Sequence, residues 1–479
     1  MSDIPALSKD NSRRNFLRTI GAAAAGLFVA PYIKSAGVFA YAHEANGQFT
    51  ARVAITNTEG TPADRYDPAG VREKVRYLFD QMGGIGDVVK AGDKVAIKIN
   101  LTGGSGSAGS TLLGGYSITE TMWTHPALLQ AVGELLIDAG VKAEDISIVD
   151  ALWDTVITAP FGASDQFGYR AVQKALGCSM VNLNSVLPYS SFVDMPVGSN
   201  GINFTSFKMN RILAEANVYV SIPKLKHHAE AGFTCSLKNQ VGTVPKQLYT
   251  IQSNQGRRQA LHSPNGGSSN SYLPESVCDL NLARPVHLAI VDGIMNSKGG
   301  EGVWIPTFEP YQSHVLFAGE DPVATDSVGA CLMGLDPEAG SLSLPGGGKC
   351  DNYLALLNSR GAGTNKLREI EIVGDGASIV TSAKAGVAVT PPIDFKLLPN
   401  FPNPFNPATR IVFYLPRSEN VTVAIFNVAG QELETLIEGQ LPAGQHDLQW
   451  SANGLASGVY LCRMQAGSFT QTIKMIYEK

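Results

Sequence analysis

Two lysines and two histidines crowd one short run, Pro223-Lys224-Leu225-Lys226-His227-His228, and Ser236-Leu237-Lys238-Asn239 follows soon after. Ammonium groups hold anions. When burial or like charge lowers their pKa, lysines and histidines also move protons near neutral pH. Lys224, Lys226, His227 and Lys238 are therefore candidate catalytic groups, and His227 and His228 are candidate metal ligands. While the chain stays extended, Lys224, Lys226 and His228 share one face and His227 takes the other. A solvated basic loop is the bland reading of the same run.

Carboxylates lie further on. Asp292 ends the apolar run Val286–Asp292, and Glu301 sits in Gly299-Gly300-Glu301-Gly302; either suits a hard cation or a general base. Lys98, Asn100, His125, Asn239, Asp321 and Asp326 complete a candidate substrate-binding set. Asp321 before Pro322 also reads as a helix N-cap with proline at the first position. Gly104, Gly106 and Gly109 fit a G-x-G-x-x-G pattern. No helix pattern opens directly after them, so a loop is expected rather than a dinucleotide site. The six cysteines include no C-x-x-C pair. A cysteine-ligated iron–sulfur cluster is therefore not expected, and a metal ion is the cofactor the side chains suggest.

The elements that must position these groups are strands alternating with helices. Strand-like runs are Arg52–Thr56, Lys94–Leu101, Asp145–Ala151, Met180–Asn184, Val218–Pro223, Val286–Asp292, His314–Ala318 and Glu369–Val373. Several are near-continuous Val, Ile and Ala, as in strands covered on both faces. The clearest helix follows Thr124, which can cap it, with Pro126 in the first turn and Gly140 at the stop. The expected fold is α/β, a mainly parallel sheet flanked by helices, with ligands beyond the carboxyl ends of the strands. After a linker at 381–398, short alternating runs over 399–479 predict a small all-β, immunoglobulin-like sandwich.

The two ends look like addresses. Ser12-Arg13-Arg14-Asn15-Phe16-Leu17 before the apolar stretch Ile20–Ala30 resembles a twin-arginine signal peptide, and Ala40-Tyr41-Ala42 fits a cleavage site after Ala42. Losing residues 1–42 takes the formal charge from −5 to −8. Such an acidic chain with no basic block makes a poor nucleic-acid binder. Asn403-Pro404-Phe405-Asn406-Pro407, Phe426-Asn427-Val428-Ala429-Gly430 and Gly454-Leu455-Ala456-Ser457-Gly458-Val459-Tyr460 resemble the type IX secretion C-terminal sorting domain. The first resemblance implies the twin-arginine translocase as a partner; the second implies the type IX machinery and release or attachment at the cell surface.

Over 50–380 the ordered motifs Lys98-Ile99-Asn100-Leu101, Thr124-His125-Pro126, Pro223-Lys224-Leu225-Lys226-His227, Ser236-Leu237-Lys238-Asn239, Val291-Asp292-Gly293 and Gly319-Glu320-Asp321-Pro322-Val323-Ala324-Thr325-Asp326 resemble the domain of unknown function 362 family. Many relatives carry ferredoxin-like segments, which implies redox work; this chain has none. It keeps the glutamate of a Met-Glu-Gly pattern as Glu301, without the methionine. Two expectations follow: an exported enzyme acting on a small anionic ligand, metal-dependent or redox, or a surface protein that binds that ligand without turnover.

Overall fold

The structure, a computed structural model, describes residues 49–103, 116–152, 167–253, 256–265, 269–383, 395–398, 400, 403–441 and 444–479. The signal segment with Arg13, Arg14 and Ala42, and the glycines at 104–109, lie outside them.

A ten-stranded sheet organises residues 51–373. Its strands are β1 (Ala51–Asn57), β2 (Val95–Ile99), β3 (Ile146–Asp150), β4 (Ser179–Asn182), β5 (Val218–Ile222), β6 (Lys224–His228), β7 (Gly232–Thr234), β8 (Leu288–Lys298), β9 (Glu309–Gly319) and β10 (Ile370–Val373). The order is β10-β1-β9-β8-β5-β2-β3-β4, with β6 beside β8 and β7 beside β6. The pairs along this path are parallel except where β9 runs antiparallel to β1 and β8; off it, β7 runs antiparallel to β6. All eight strand-like runs of the sequence are in this sheet.

Alternation assigns the two faces. Ala96, Tyr219, Val53 and Ile55 enter one buried cluster; Val95, Ile97, Ile99, Val220 and Ile222 enter the other. Helices cover both faces. Among them are α1 (Pro68–Met82), α2 (Pro126–Asp138), α3 (Tyr169–Leu176), α4 (Ser236–Asn239), α5 (Tyr272–Ala283) and α6 (Pro322–Leu332). No described helix is long and apolar enough to cross a membrane.

Three local expectations are corrected. The cap of α2 is His125, whose ring nitrogen accepts from Ala127 N (3.2 Å), whereas Thr124 is drawn into the sheet edge and donates to Ile222 O. Gly140 does close the turn after α2, at φ +97°. β8 and β9 run well past their apolar cores, because a bulge between Gly293 and Met295 carries the ladder on. A Cβ on Gly293 would stand 3.0 Å from Val315 Cγ2 and 3.1 Å from Val315 O, so a larger residue would make Val315 give way. The run after Pro223 is itself a strand, β6, and not a loop.

The tail is all-β. Strand β11 (Lys396–Leu397) pairs with β12 (Ala408–Leu415), which pairs with β15 (Gly444–Ser451). A second sheet joins β14 (Glu432–Leu441), β13 (Glu419–Asn427), β16 (Gly458–Ala466) and β17 (Phe469–Tyr477) in that order. Both sheets are antiparallel and bury one cluster around Phe405, Phe413, Ile425, Trp450 and Met475. Sequence reading missed β14 because it is a mostly exposed edge strand rich in glutamate. The linker is shorter than 381–398: a helix runs through Ala383 and β11 already belongs to the tail, while 384–394 lie outside the described residues.

Candidate functional site

Four lysines meet at the carboxyl edge of β2, β3 and β5, all at most 7% exposed. Their hydrogen bonds separate them into two kinds.

Lys98 faces the same side of the sheet as Ala96. Its ammonium donates to Ile99 O (2.6 Å) and Asn239 Oδ1 (3.2 Å) and pairs with Asp150 Oδ2 at 3.3 Å. Burial pulls the Lys98 amine down and pushes the Asp150 carboxyl up, each opposed by the other's charge. Gly242 lets this pair form: a Cβ there would lie 2.8 Å from Lys98 Nζ and 2.9 Å from Asp150 Oδ1. Lys224 is enclosed more completely. It pairs with Asp292 Oδ2 at 2.7 Å and donates to Tyr66 OH (2.9 Å), Glu120 O (2.8 Å) and Met295 O (3.1 Å). Tyr66 OH and His125 N donate to the same carboxylate, at 2.7 and 3.0 Å. Asp292 is thus the buried counter-ion of Lys224, with both oxygens occupied, and does not stand free as a base or cation ligand.

Lys226 and Lys238 differ. Lys226 is wholly buried, yet among the described residues its Nζ meets only neutral oxygens, Thr102 Oγ1 (2.8 Å) and Met122 O (2.7 Å). Burial holds its amine well below the ordinary lysine value; Glu301 opposes this, while Lys238 and Lys224 add to it. Lys238, on α4, has no hydrogen-bond or ion-pair partner among the described residues, and burial together with Lys98 lowers it to about 8 against the pull of Glu301 and Glu230. Asn239 ties the two groups together. Its Oδ1 accepts from Lys98 and Asn100, its Nδ2 donates to Ser221 Oγ (3.1 Å), and Asn100 Oδ1 accepts from Thr102.

The histidines divide as well. His227 projects to the other face, where its Nε2 meets Met333 O (3.1 Å) and its Nδ1 accepts from Gly299 N (3.2 Å). Nδ1 must then be unprotonated and Nε2–H the donor, so the ring is neutral. Both nitrogens are used, and His227 is withdrawn as a metal ligand and as a proton carrier. His228 stays on the lysine face, where its Nδ1 accepts from Glu230 N. Glu301 accepts from Ala229 N (3.0 Å) and Trp304 Nε1 (3.3 Å). Burial alone would raise its carboxyl, but His228, backbone N–H groups and Lys238 bring it down to about 2. Among the described residues no three histidine, cysteine or acidic side chains converge to hold a metal ion; the six cysteines are buried and none is in a disulfide.

His125 stacks on Tyr66 at 3.8 Å, and burial and Lys224 lower its ring to about 3. Nδ1 accepts from Ala127 N, and Nε2 has no hydrogen-bond partner among the described residues. Asp321 caps α6, accepting from Val323 N, Ala324 N and Thr364 N. Asp326 accepts from Ser236 N (2.8 Å) and Leu237 N (2.9 Å), and so holds the start of α4. These two acids carry the frame, and their hydrogen bonds go to backbone rather than to the lysines. Sequence reading overlooked Asp150, Tyr66 and Thr102. The position of Asp150 at the end of β3 was a usable signal; Tyr66, in a left-handed turn at φ 55°, offered none. A separate groove of about 900 Å³ lies at the amino ends of β2, β3 and β4, lined by Lys94, Asp145, Ser179, Tyr189 and Glu215 among others, away from this chemistry.

A mainly parallel α/β sheet with a buried lysine cluster, followed by an all-β module, defines an α/β domain carrying an all-β tail. Residues 95–331 belong to the family described as Domain of unknown function (DUF362), and residues 400–478 to the Secretion system C-terminal sorting domain. The sorting tail implies export to the cell surface or the medium and engagement of the type IX machinery. The chain is 26% identical over 281 residues to the thylakoid-associated protein sll1697 of Synechocystis sp., covering 57% of this chain and 73% of that protein. Among solved structures, an endo-beta-1,4-mannanase from Thermotoga petrophila is 9% identical at TM-score 0.16 (73% of this chain, 82% of that one). An engineered protein is 13% identical at the same TM-score, over 90% and 87%. Likenesses this faint carry no argument.

Proposed function

We propose that the α/β domain is an exported enzyme that binds a small anionic substrate at the carboxyl edge of its sheet, through Lys226 and Lys238. One observation carries this reading. Lys98 and Lys224 each have a carboxylate, whereas Lys226 and Lys238, also buried, have none within ion-pair distance among the described residues. A buried lysine without a counter-ion either carries its charge at a cost of several kcal/mol, by order of magnitude, or gives up its proton, and an anionic ligand removes the cost of the charged form. Glu301, ionised beside Lys238, and His228 complete the polar wall. The twin-arginine route and passage through the periplasm belong to the same proposal, on the Arg13-Arg14 motif.

The test is thermal stabilisation of the mature protein by acetate, glycolate and phosphate, repeated in Lys226→Met and Lys238→Met. Anion-dependent stabilisation lost in both variants supports the site. Equal stabilisation in the variants sinks it. A ligand held tightly by a protein that converts nothing would favour the binding protein over the enzyme.

A further inference from the structure

The hydrogen bonds around Lys226 say more than that it lacks a carboxylate. The Thr102 hydroxyl proton is committed to Asn100 Oδ1 (3.0 Å), so Thr102 Oγ1 can only accept from Lys226. Met122 O, a carbonyl, also only accepts. These bonds use two N–H groups of Nζ. The remaining tetrahedral direction has no partner among the described residues. A neutral amine has two N–H groups and one lone pair, which fits this environment; an ammonium would leave one N–H and its charge unmatched. Contrast Lys98, with three acceptors, and Lys224, with four, each including a carboxylate.

We infer that Lys226 is an amine nucleophile that condenses with the carbonyl carbon of a small oxo acid, the carboxylate of which is held by Lys238. This rests on the anion-binding reading above and gives it a substrate class. The lone pair of Nζ attacks the carbonyl carbon and forms a C–N bond, while the C=O π pair moves to oxygen. One proton passes from nitrogen to that oxygen, giving a neutral carbinolamine. The hydroxyl then takes a proton from solvent and leaves as water, and the nitrogen lone pair closes a protonated C=N bond. No oxidant or reductant is required. A desolvated lysine beside other cations is the setting in which such nucleophiles work. Lys238 and Lys224 supply the neighbouring charge, and burial favours the neutral amine. Thr102 and Asn100 aim the amine, and Asn239 links them to Lys98.

The experiment uses the full mature protein with glyoxylate, the smallest oxo acid, and cyanoborohydride at neutral pH. Reduction of the imine leaves a carboxymethyl group on the reacting lysine, located by peptide mapping. Lys226 should label at least about tenfold faster than the exposed Lys142, since each unit of lowered pKa raises the neutral fraction tenfold. Lys226→Met, which keeps the apolar stem but has no amine, should lose the adduct and remain folded. Glycolate, with the carboxylate but no carbonyl, is titrated in parallel by calorimetry. Glycolate binding with label confined to surface lysines would overturn the imine and leave the anion site standing. Failure of both would overturn both. An adduct on Lys238 would overturn the assignment to Lys226.

Discussion

At the residue scale the cluster separates lysines that support from lysines that react, and the two kinds should respond oppositely to substitution. Asp292→Ala strips the counter-ion from Lys224 and the acceptor from Tyr66, all inside the fold. Breaking such a pair from one side costs about 3–5 kcal/mol. Urea unfolding should show that loss in Asp292→Ala, and little or no loss in Lys226→Met, where a similar apolar stem replaces an amine with no ionic partner. A large loss in Lys226→Met would mean that its neutral contacts hold the fold. Lys238 makes a pH prediction. Its pKa is lowered from 10.5 to about 8, chiefly by burial, with Lys98 adding to the shift and Glu301 and Glu230 opposing it. An anion binds the protonated form, so affinity should hold below about 8 and fall above it. The linkage to stability has the opposite sense. Between about 8 and 10.5 the unfolded chain binds this proton and the folded chain does not, so the Lys238 contribution to stability rises with pH. Calorimetric titration with glycolate on either side of pH 8 checks the first statement, and an affinity indifferent to that step would remove Lys238 from the site.

At the scale of elements, α4 is the piece that brings Lys238 and Asn239 to the sheet, and α6 holds it there. Asp326 accepts the first two N–H groups of α4, where a short helix has no bonds of its own to spare. Asp326→Ala should release them at a cost of about 1–3 kcal/mol. Hydrogen exchange at residues 236–239 should quicken and glycolate affinity fall, while the α/β fold persists. Unchanged exchange would show that packing alone places α4. Gly242→Ala tests the other side of the same element. Its new Cβ would fall within 2.9 Å of both members of the Lys98–Asp150 pair, and overpacking of this kind costs about 1–3 kcal/mol. These elements also show what a sequence can disclose. Strands β1, β2, β3 and β5 were readable because near-continuous apolar runs mark strands covered on both faces. The facing of Lys224, Lys226 and His228 followed from period two alone, and the structure keeps it. The partners did not follow. Whether a lysine meets Asp292, Asp150 or only Thr102 depends on which loops the crossovers bring together, across 68 residues for Lys224 and 52 for Lys98. So Asp292 read as a free base and His227 as a ligand, though one is a counter-ion and the other is fixed by backbone on the opposite face.

At the scale of the whole molecule, the chain couples a chemical domain to an address, and the two have separate cores. The clusters flanking the large sheet draw only on residues up to Val380, and the tail cluster only on residues from Phe395. Contacts between the parts include Arg410 Nη1 donating to Asp375 O (3.1 Å), Lys396 over the Phe49 ring (5.5 Å) and Lys396 paired with Glu371 (3.1 Å), which also takes Arg52 (2.8 Å). Exposed pairs of this kind contribute about 0–1 kcal/mol each. Ending the chain after Ala383 removes a module with an apolar cluster of its own and should leave the lysine cluster intact. The shortened protein should melt within a few degrees of the full chain's α/β transition and bind glycolate with the same affinity. It should fail to reach the cell surface or the medium, because the sorting signal is gone. Fractionation of cells expressing both forms, with a melting curve of each, decides the matter. Delivery of the shortened form to the surface would deny the tail its sorting role, and an unfolded shortened form would show that the tail completes the domain as well as directing it.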